Sequence, residues 1–416
     1  MSKSGRLVGA PPAPGNTHPP VLPCGVASEL AAAFQRLIRQ VSAALESAAS
    51  GVSQRLRAVS EAGLREPARA LPAADTVVAK PIKFPPPPEL RAPTSRERWH
   101  ALADIAEGRL PEPKIFNSPD LDALARSKLH IALENQWPGT KSIKERAARV
   151  VTSKLNDLPP GVPVRIASSG NHAIAYAGAL GRRRIPVIAV VPENTSAMKI
   201  SKLEERGATV IRYGSSYDDA YSHAKRLTEE QGGRFLDVSA HDSVAALGTA
   251  VHDMLSLRPS ASTLVLPAGG GTVASAAQVV RDFEEVWGGR RTVLVACPEN
   301  APTVYESFKA GEPVTVPAHT MAEAVNVGTV DAHLLPQILD AADDVVLVPE
   351  SSIREGVPLL SAAIGSPVEA GATLGPMAVI GSQGVLHGAS GAVHDVRGQE
   401  VLTLVTGGNV APAQGV

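Results

Sequence analysis

Apolar residues recur with one period near the start of this chain and with another beyond residue 164. Between Val26 and Val59, Leu30, Phe34, Leu37, Val41, Leu45, Val52 and Leu56 follow one another at spacings of three, four and seven. That spacing predicts one or two amphipathic helices. Their apolar face can pack on the rest of the chain, self-associate or dock another protein, and the sequence leaves these open. From residue 164 short β-branched runs take over: "VRIA", "PVIAVVP", "TVIRYG" and "RFLDVS". Helical stretches separate them, among them Ser196 to Arg206 and Tyr217 to Gln231. "STLVLPA" and "TVLVACP" follow a helix near residues 243–257, and "EVLTLV" supplies a last strand. Strands that alternate with helices in this way predict βαβ units and an open α/β protein with a parallel sheet. Ligands of such sheets bind in loops beyond the carboxyl ends of strands.

Composition narrows the class. A chain of 416 residues, 44% hydrophobic, buries a large core and forms two domains or one with an extension. Residues 1–25 are rich in Pro and Gly and predict a disordered tail, and "KFPPPPEL", residues 83–90, predicts a stiff linker. A net charge of −1 without a basic tract argues against a nucleic-acid partner. No apolar run has the length of a membrane span, and no apolar stretch follows the N-terminus as in a secretory signal. Lys3 and Arg6 among few acidic residues imitate a transit peptide, but the Pro-rich run lacks an amphipathic pattern. Cys24 and Cys297 are too few for a disulfide framework. The expectation is a cytoplasmic protein without a metal site.

Candidate chemistry begins at "PGTKSIKERAARVV", residues 138–151. Ser142 and Glu145 have the spacing of a capping box, which predicts Ser142 as the N-cap of a helix. Lys144 then heads a stripe continued by Ala148, Val151 and Leu155, whereas Lys141, Arg146, Arg149 and Lys154 read as solvated charges. An ammonium beside a helix N-terminus and an apolar face has a lowered pKa, which suits an amine nucleophile. The alternative is a stem that snorkels its charge to water.

Three loops follow strands. "ASSGNHA", residues 167–173, brings hydroxyls, an amide and free N–H groups to a helix start, either as an anion site or as a plain turn. "LPAGGGTVASAA", residues 266–277, sets three glycines between strand and helix, where backbone amides can approach a phosphate. It also satisfies the dinucleotide pattern at Gly269, Gly271 and Ala274, with Glu299 as the ribose partner. That pattern normally belongs to a first βαβ unit and a shorter spacing. "LVTGGNV", residues 404–410, delivers Thr406 into a Gly-rich turn.

Taken in order, "GTKSIKER", "SSGNHA", "GGGT", "VEAGA" (residues 368–372) and "TGGN" resemble the fold-type II pyridoxal-phosphate enzymes, which include serine and threonine dehydratases, cysteine synthase and threonine synthase. The similarity covers roughly residues 115–410. It implies two open twisted, mostly parallel sheet domains behind a helical N-terminal extension. Residues 96–149 and 245–416 would form the larger, cofactor-binding domain, residues 150–244 the smaller one, and residues 26–95 the extension and linker. It implies Lys144 as the Schiff-base lysine, Asn171 beside the cofactor's 3-hydroxyl, Gly269, Gly270, Gly271 and Thr272 around its phosphate, and Thr406 against the pyridine nitrogen. Ser168, Ser169, Gly170, Asn171 and His172 would meet the substrate carboxylate. It also implies a homodimer.

A neutral hydroxyl at the ring nitrogen stabilises a protonated ring less than a carboxylate does, so loss of a β-substituent is favoured over transamination. "SSGNHA", "HDSVAALGT" (residues 241–249), "TMAEAVNVG" (residues 320–328) and "TGGN" look most like dehydratases and ammonia-lyases. "GTKSIKER" departs from them by lacking an aromatic before the lysine and looks closer to cysteine synthase or threonine synthase. Only three glycines stand where dehydratases have four. The leading expectation is therefore α,β-elimination from a small β-hydroxy or β-substituted amino acid such as serine or threonine. β-Replacement or a threonine-synthase-like reaction is the alternative. An inactive scaffold that binds a protein partner through its N-terminal helices is the alternative from another class.

Overall fold

The computed structural model of the chain describes residues 113–168 and 170–410. The tail, helical extension and Pro-rich linker expected within residues 1–95 lie outside the described residues.

Two sheets organise the rest. The larger has six strands in the order β1 (Ile115–Phe116), β2 (Lys128–Leu133), β12 (Glu400–Val405), β7 (Thr263–Pro267), β8 (Thr292–Pro298) and β9 (Asp344–Val348). Only β1 runs antiparallel to its neighbour. The smaller is fully parallel, in the order β5 (Ala208–Arg212), β4 (Val187–Val191), β3 (Val164–Ala167) and β6 (Arg234–Leu236). A hairpin of β10 (Val385–His387) and β11 (Val393–Asp395) forms a separate sheet, tied to β9 where the Ala389 amide donates to the Val345 carbonyl at 2.8 Å. β12 lies in register with β2 from Glu400 opposite Lys128 to Val405 opposite Leu133, and it meets β7 on its other side. After Glu400 every residue of β12 is buried, the near-continuous apolar run that a strand covered on both faces requires.

The expected α/β class is therefore observed, with differences at particular elements. "RFLDVS" leaves the sheet after Leu236 because the Asp237 carboxylate accepts from the Ser239 amide at 2.9 Å and its hydroxyl at 3.0 Å, which makes a turn. The pattern also missed β2. "KLHIAL" opens with an exposed lysine and carries His130, so it does not read as a β-branched run, although five of its six residues are buried.

The helix that begins at Lys144 corrects two expectations. It spans Lys144–Ser153 with Ile143 as N-cap, and no side chain caps it. The Ser142 hydroxyl accepts from the Lys144 amide at 3.3 Å, and Glu145 turns away to accept from Arg149 at 2.8 Å and Arg182 at 3.1 Å, so the capping box does not form. The stripe of Ala148, Val151 and Leu155 is buried as expected. Arg146, read as solvated, is 0% exposed. Its Nη2 and Nε donate to Glu134, at 2.8 Å and 3.0 Å to the two carboxylate oxygens, and its Nη1 donates to Asp253 Oδ2 at 2.9 Å and Thr249 Oγ1 at 3.0 Å. Trp137 donates to Glu134 at 2.6 Å and holds its ring near the guanidinium. Helical periodicity puts Arg146 off the Lys144 stripe, but a second stripe faces the helix His241–Leu257, which supplies the acid.

Removal of one member of a buried ion pair leaves the other uncompensated and costs about 3–5 kcal/mol. Arg146→Ala is expected to lower unfolding stability by about that much. Lys154→Ala, which breaks a partly exposed pair with Asp242, is expected to change it by less than about 1 kcal/mol. Urea midpoints measure both, and equal shifts would refute the special standing of Arg146.

Candidate active site

Loops at the carboxyl ends of β3, β7 and β12 converge on one cavity of about 200 Å³. Lys144 reaches it from the first turn of its helix, and its Nζ lies 3.3 Å from Thr272 Oγ1. The helix is held there by stitches to the loop after β12. Ile143 donates to the Thr406 carbonyl at 2.9 Å, and Gly408 donates to the Lys141 carbonyl at 2.8 Å. Burial draws the Lys144 ammonium down to a pKa of about 8, opposed by the Glu369 carboxylate. It is thus a stronger candidate for amine chemistry near neutrality than an exposed lysine.

Most of the residues expected in the site meet here. Ser168, Gly170, Asn171 and His172 line the cavity from the loop after β3, Gly269, Gly270 and Thr272 from the loop after β7, and Thr406 from the end of β12. Gly271 belongs to the same loop but does not line the cavity, and Ser169 lies outside the described residues. Burial, with Lys144 adding to it, holds His172 well below the ordinary histidine range, so the ring is neutral, and its Nε2 is enclosed without a partner. Glu299 is exposed and absent from the cavity wall, so the dinucleotide pattern has no ribose partner there.

Two glycines are required by space. A Cβ at Gly269 would stand 2.9 Å from Val325 Cα, and Gly271 has φ +109 with Ile338 and Val330 close behind it. Among the described residues no acceptor meets the amides of Gly269, Gly270 and Gly271. Free amides in such a turn form an anion cradle.

Glu369 was not singled out from the sequence. Its Oε1 accepts from Asn171 Nδ2 at 2.7 Å, while Asn171 Oδ1 accepts from Asn409 Nδ2 at 2.8 Å. The available signal was one acid amid small residues in "VEAGA", a setting that implies burial. Among the described residues no group of three or more His, Cys, Asp or Glu that could hold a metal occurs, and no helix is long and apolar enough to cross a membrane.

Comparison with known proteins names the family. The profile described as "Pyridoxal-phosphate dependent enzyme" matches residues 110–407. The chain belongs to that family. It is 26% identical over 299 residues to a serine racemase of Oryza sativa subsp. indica, a match covering 71% of this chain and 85% of that protein. It is 29% identical over 247 residues to an L-threonine ammonia-lyase of Geobacter sulfurreducens, covering 59% of this chain and 58% of the other. The solved structure of maize serine racemase shares the fold, with a TM-score of 0.68 at 24% identity over 77% of this chain and 96% of that one. The protein is thus a pyridoxal-phosphate enzyme, and its cavity fits the cofactor in three respects. An amine lines it that an aldehyde could meet, the amides of the Gly-rich loop have no acceptor among the described residues and could meet a phosphate, and no group of carboxylates competes for that anion.

Closing the gap behind Gly269 should weaken the cofactor site. Overpacking costs about 1–3 kcal/mol, so Gly269→Ala is expected to reduce pyridoxal-phosphate affinity about tenfold or more. Equilibrium dialysis read by visible absorbance measures this, and unchanged affinity would remove the loop from the phosphate site.

Proposed function

We propose that this enzyme is a lyase that carries out α,β-elimination on a small β-hydroxy or β-substituted amino acid of the serine or threonine type, and that it acts as a homodimer. The observation that carries the reading is the enclosed Lys144 amine, facing one cavity with the β3 loop and the Gly-rich loop. Lys144 is the attachment point of the cofactor. Asn171, Gly269, Gly270, Gly271, Thr272 and Thr406 hold it, and the larger domain of residues 96–149 and 245–416 carries most of these. The bound cofactor supplies an electron sink for the charge left at Cα.

The chain's own residues do the rest. Lys144 Nζ takes the α-proton, a role that an amine of pKa about 8 fills without needing strongly basic solution. The loop from Ser168 to His172, in the smaller domain of residues 150–244, binds the substrate carboxylate with hydroxyls and backbone amides. His172 is neutral and adds hydrogen-bonding capacity without charge. Thr406 supplies a hydroxyl and no formal charge at the end of β12. That favours departure of the β-group over storage of charge in the ring. The ammonia-lyase and racemase relatives support a substrate of this class.

The test is product analysis. Purified full chain with pyridoxal phosphate is given L-serine, L-threonine and their O-acyl analogues in turn. Equal amounts of ammonium and a 2-oxo acid are expected from at least one. Lys144→Ala should cut the rate by about 10²–10⁴, the usual contribution of a positioned base, or more. A new amino acid formed only when a nucleophile is added would make the reaction a replacement. Full activity of Lys144→Ala would overturn the mechanism.

A further inference from the structure

The carboxylate of Glu369 faces the same cavity as Lys144 and is wedged in place. A Cβ at Gly407 would stand 1.8 Å from Glu369 Oε1, so the loop after β12 closes directly upon it. The Glu369 amide donates to the Gly407 carbonyl at 3.1 Å, fixing its backbone to the same loop. Its Oε1 takes one hydrogen of Asn171 Nδ2, and Asn409 engages Asn171 Oδ1, so the orientation of the Asn171 amide is determined at both ends. One N–H of that amide remains for a ligand.

We propose that Glu369 is a positioning residue of this site, orienting Asn171 by direct grip and serving as the counter-charge to Lys144 across the cavity. This rests on Lys144 being the cofactor's attachment point, as in the reading above. Its consequence concerns cofactor capture, which requires a neutral amine. His172, on the helix Asn171–Arg182, faces Lys144 and is neutral. Lys202, on the helix Ala197–Glu204, acts on Glu369 together with Lys144. Loss of water raises the Glu369 carboxyl, and the Asn171 bond and both lysines oppose that rise. Glu369 in turn raises Lys144 against its own burial, which leaves it at about 8. With the carboxylate gone, burial acts alone and Lys144 becomes neutral at lower pH.

The experiment follows cofactor capture by the full chain stripped of pyridoxal phosphate, read as the growth of visible absorbance across pH. Borohydride reduction and peptide mass then identify the lysine. In the native protein capture should rise towards a plateau with a midpoint near pH 8. In Glu369→Gln the midpoint should move down by about one unit or more, so capture at pH 7 quickens several-fold. Glu369→Asp keeps the charge and shortens the reach, so its midpoint should stay while capture slows. Superposable profiles for the native protein and Glu369→Gln would overturn the proposal, as would an equal midpoint shift in Glu369→Asp. Lys144→Ala separates this inference from the one beneath it. If that variant still yields a reduced adduct on another lysine at the native rate, both readings fall. If it yields none while the Glu369→Gln profile is unmoved, only the role of Glu369 falls.

Discussion

The buried guanidinium of Arg146 is the constraint on which the site's geometry depends. It stands two residues from Lys144 on the same helix, and Glu134, Thr249 and Asp253 engage it from two other segments. An unpaired charge at this depth is strongly destabilising, so the helix cannot rotate or slide without losing these bonds. A catalytic side chain on a helix is only as well placed as the helix. Here the register is fixed by a charge cluster, on a face where apolar packing alone would tolerate slippage.

Lys144 itself is governed by two opposing effects. Removal from water favours the amine, and Glu369 favours the ammonium. The balance leaves it titrating near neutrality, where a lysine can be both a nucleophile and a base. The side of the cavity formed by the Gly-rich loop is treated differently. Loop amides of fixed direction face the cavity there, and no buried cation among the lining residues competes with Lys144. Positive charge is thereby concentrated at one nitrogen.

Much of this was legible beforehand, for definite reasons. β-Branched runs between helices revealed the small parallel sheet strand by strand, because its strands bury most of their β-branched residues, even though the edge strand β5 leaves Thr209 and Arg212 exposed. The glycines of residues 269–271 revealed their loop, and at Gly269 and Gly271 the folded chain leaves no room for a side chain. Arg146 was misread because periodicity reports how often a face is apolar and cannot report that a distant helix brings an acid to it. The capping box failed for a related reason, since Glu145 found two arginines, one of them 37 positions away. Glu369 went unassigned because its role arises from contacts with Asn171 and Gly407, which only the folded chain brings together.

The position of β12 has a consequence for how the molecule is made. This strand lies between β2 and β7, and Lys128 meets Glu400 across 272 positions of sequence. While the chain is being synthesised, β2 and β7 are therefore finished long before the strand that joins them exists. Each presents an open edge during that interval, and unpaired edges of apolar strands are sites of misassociation. The same late strand delivers Thr406 and the turn that closes on Glu369. Until residues 400–408 have been added the enzyme has neither a continuous larger sheet nor a complete cavity, so its assembly is a late and cooperative event.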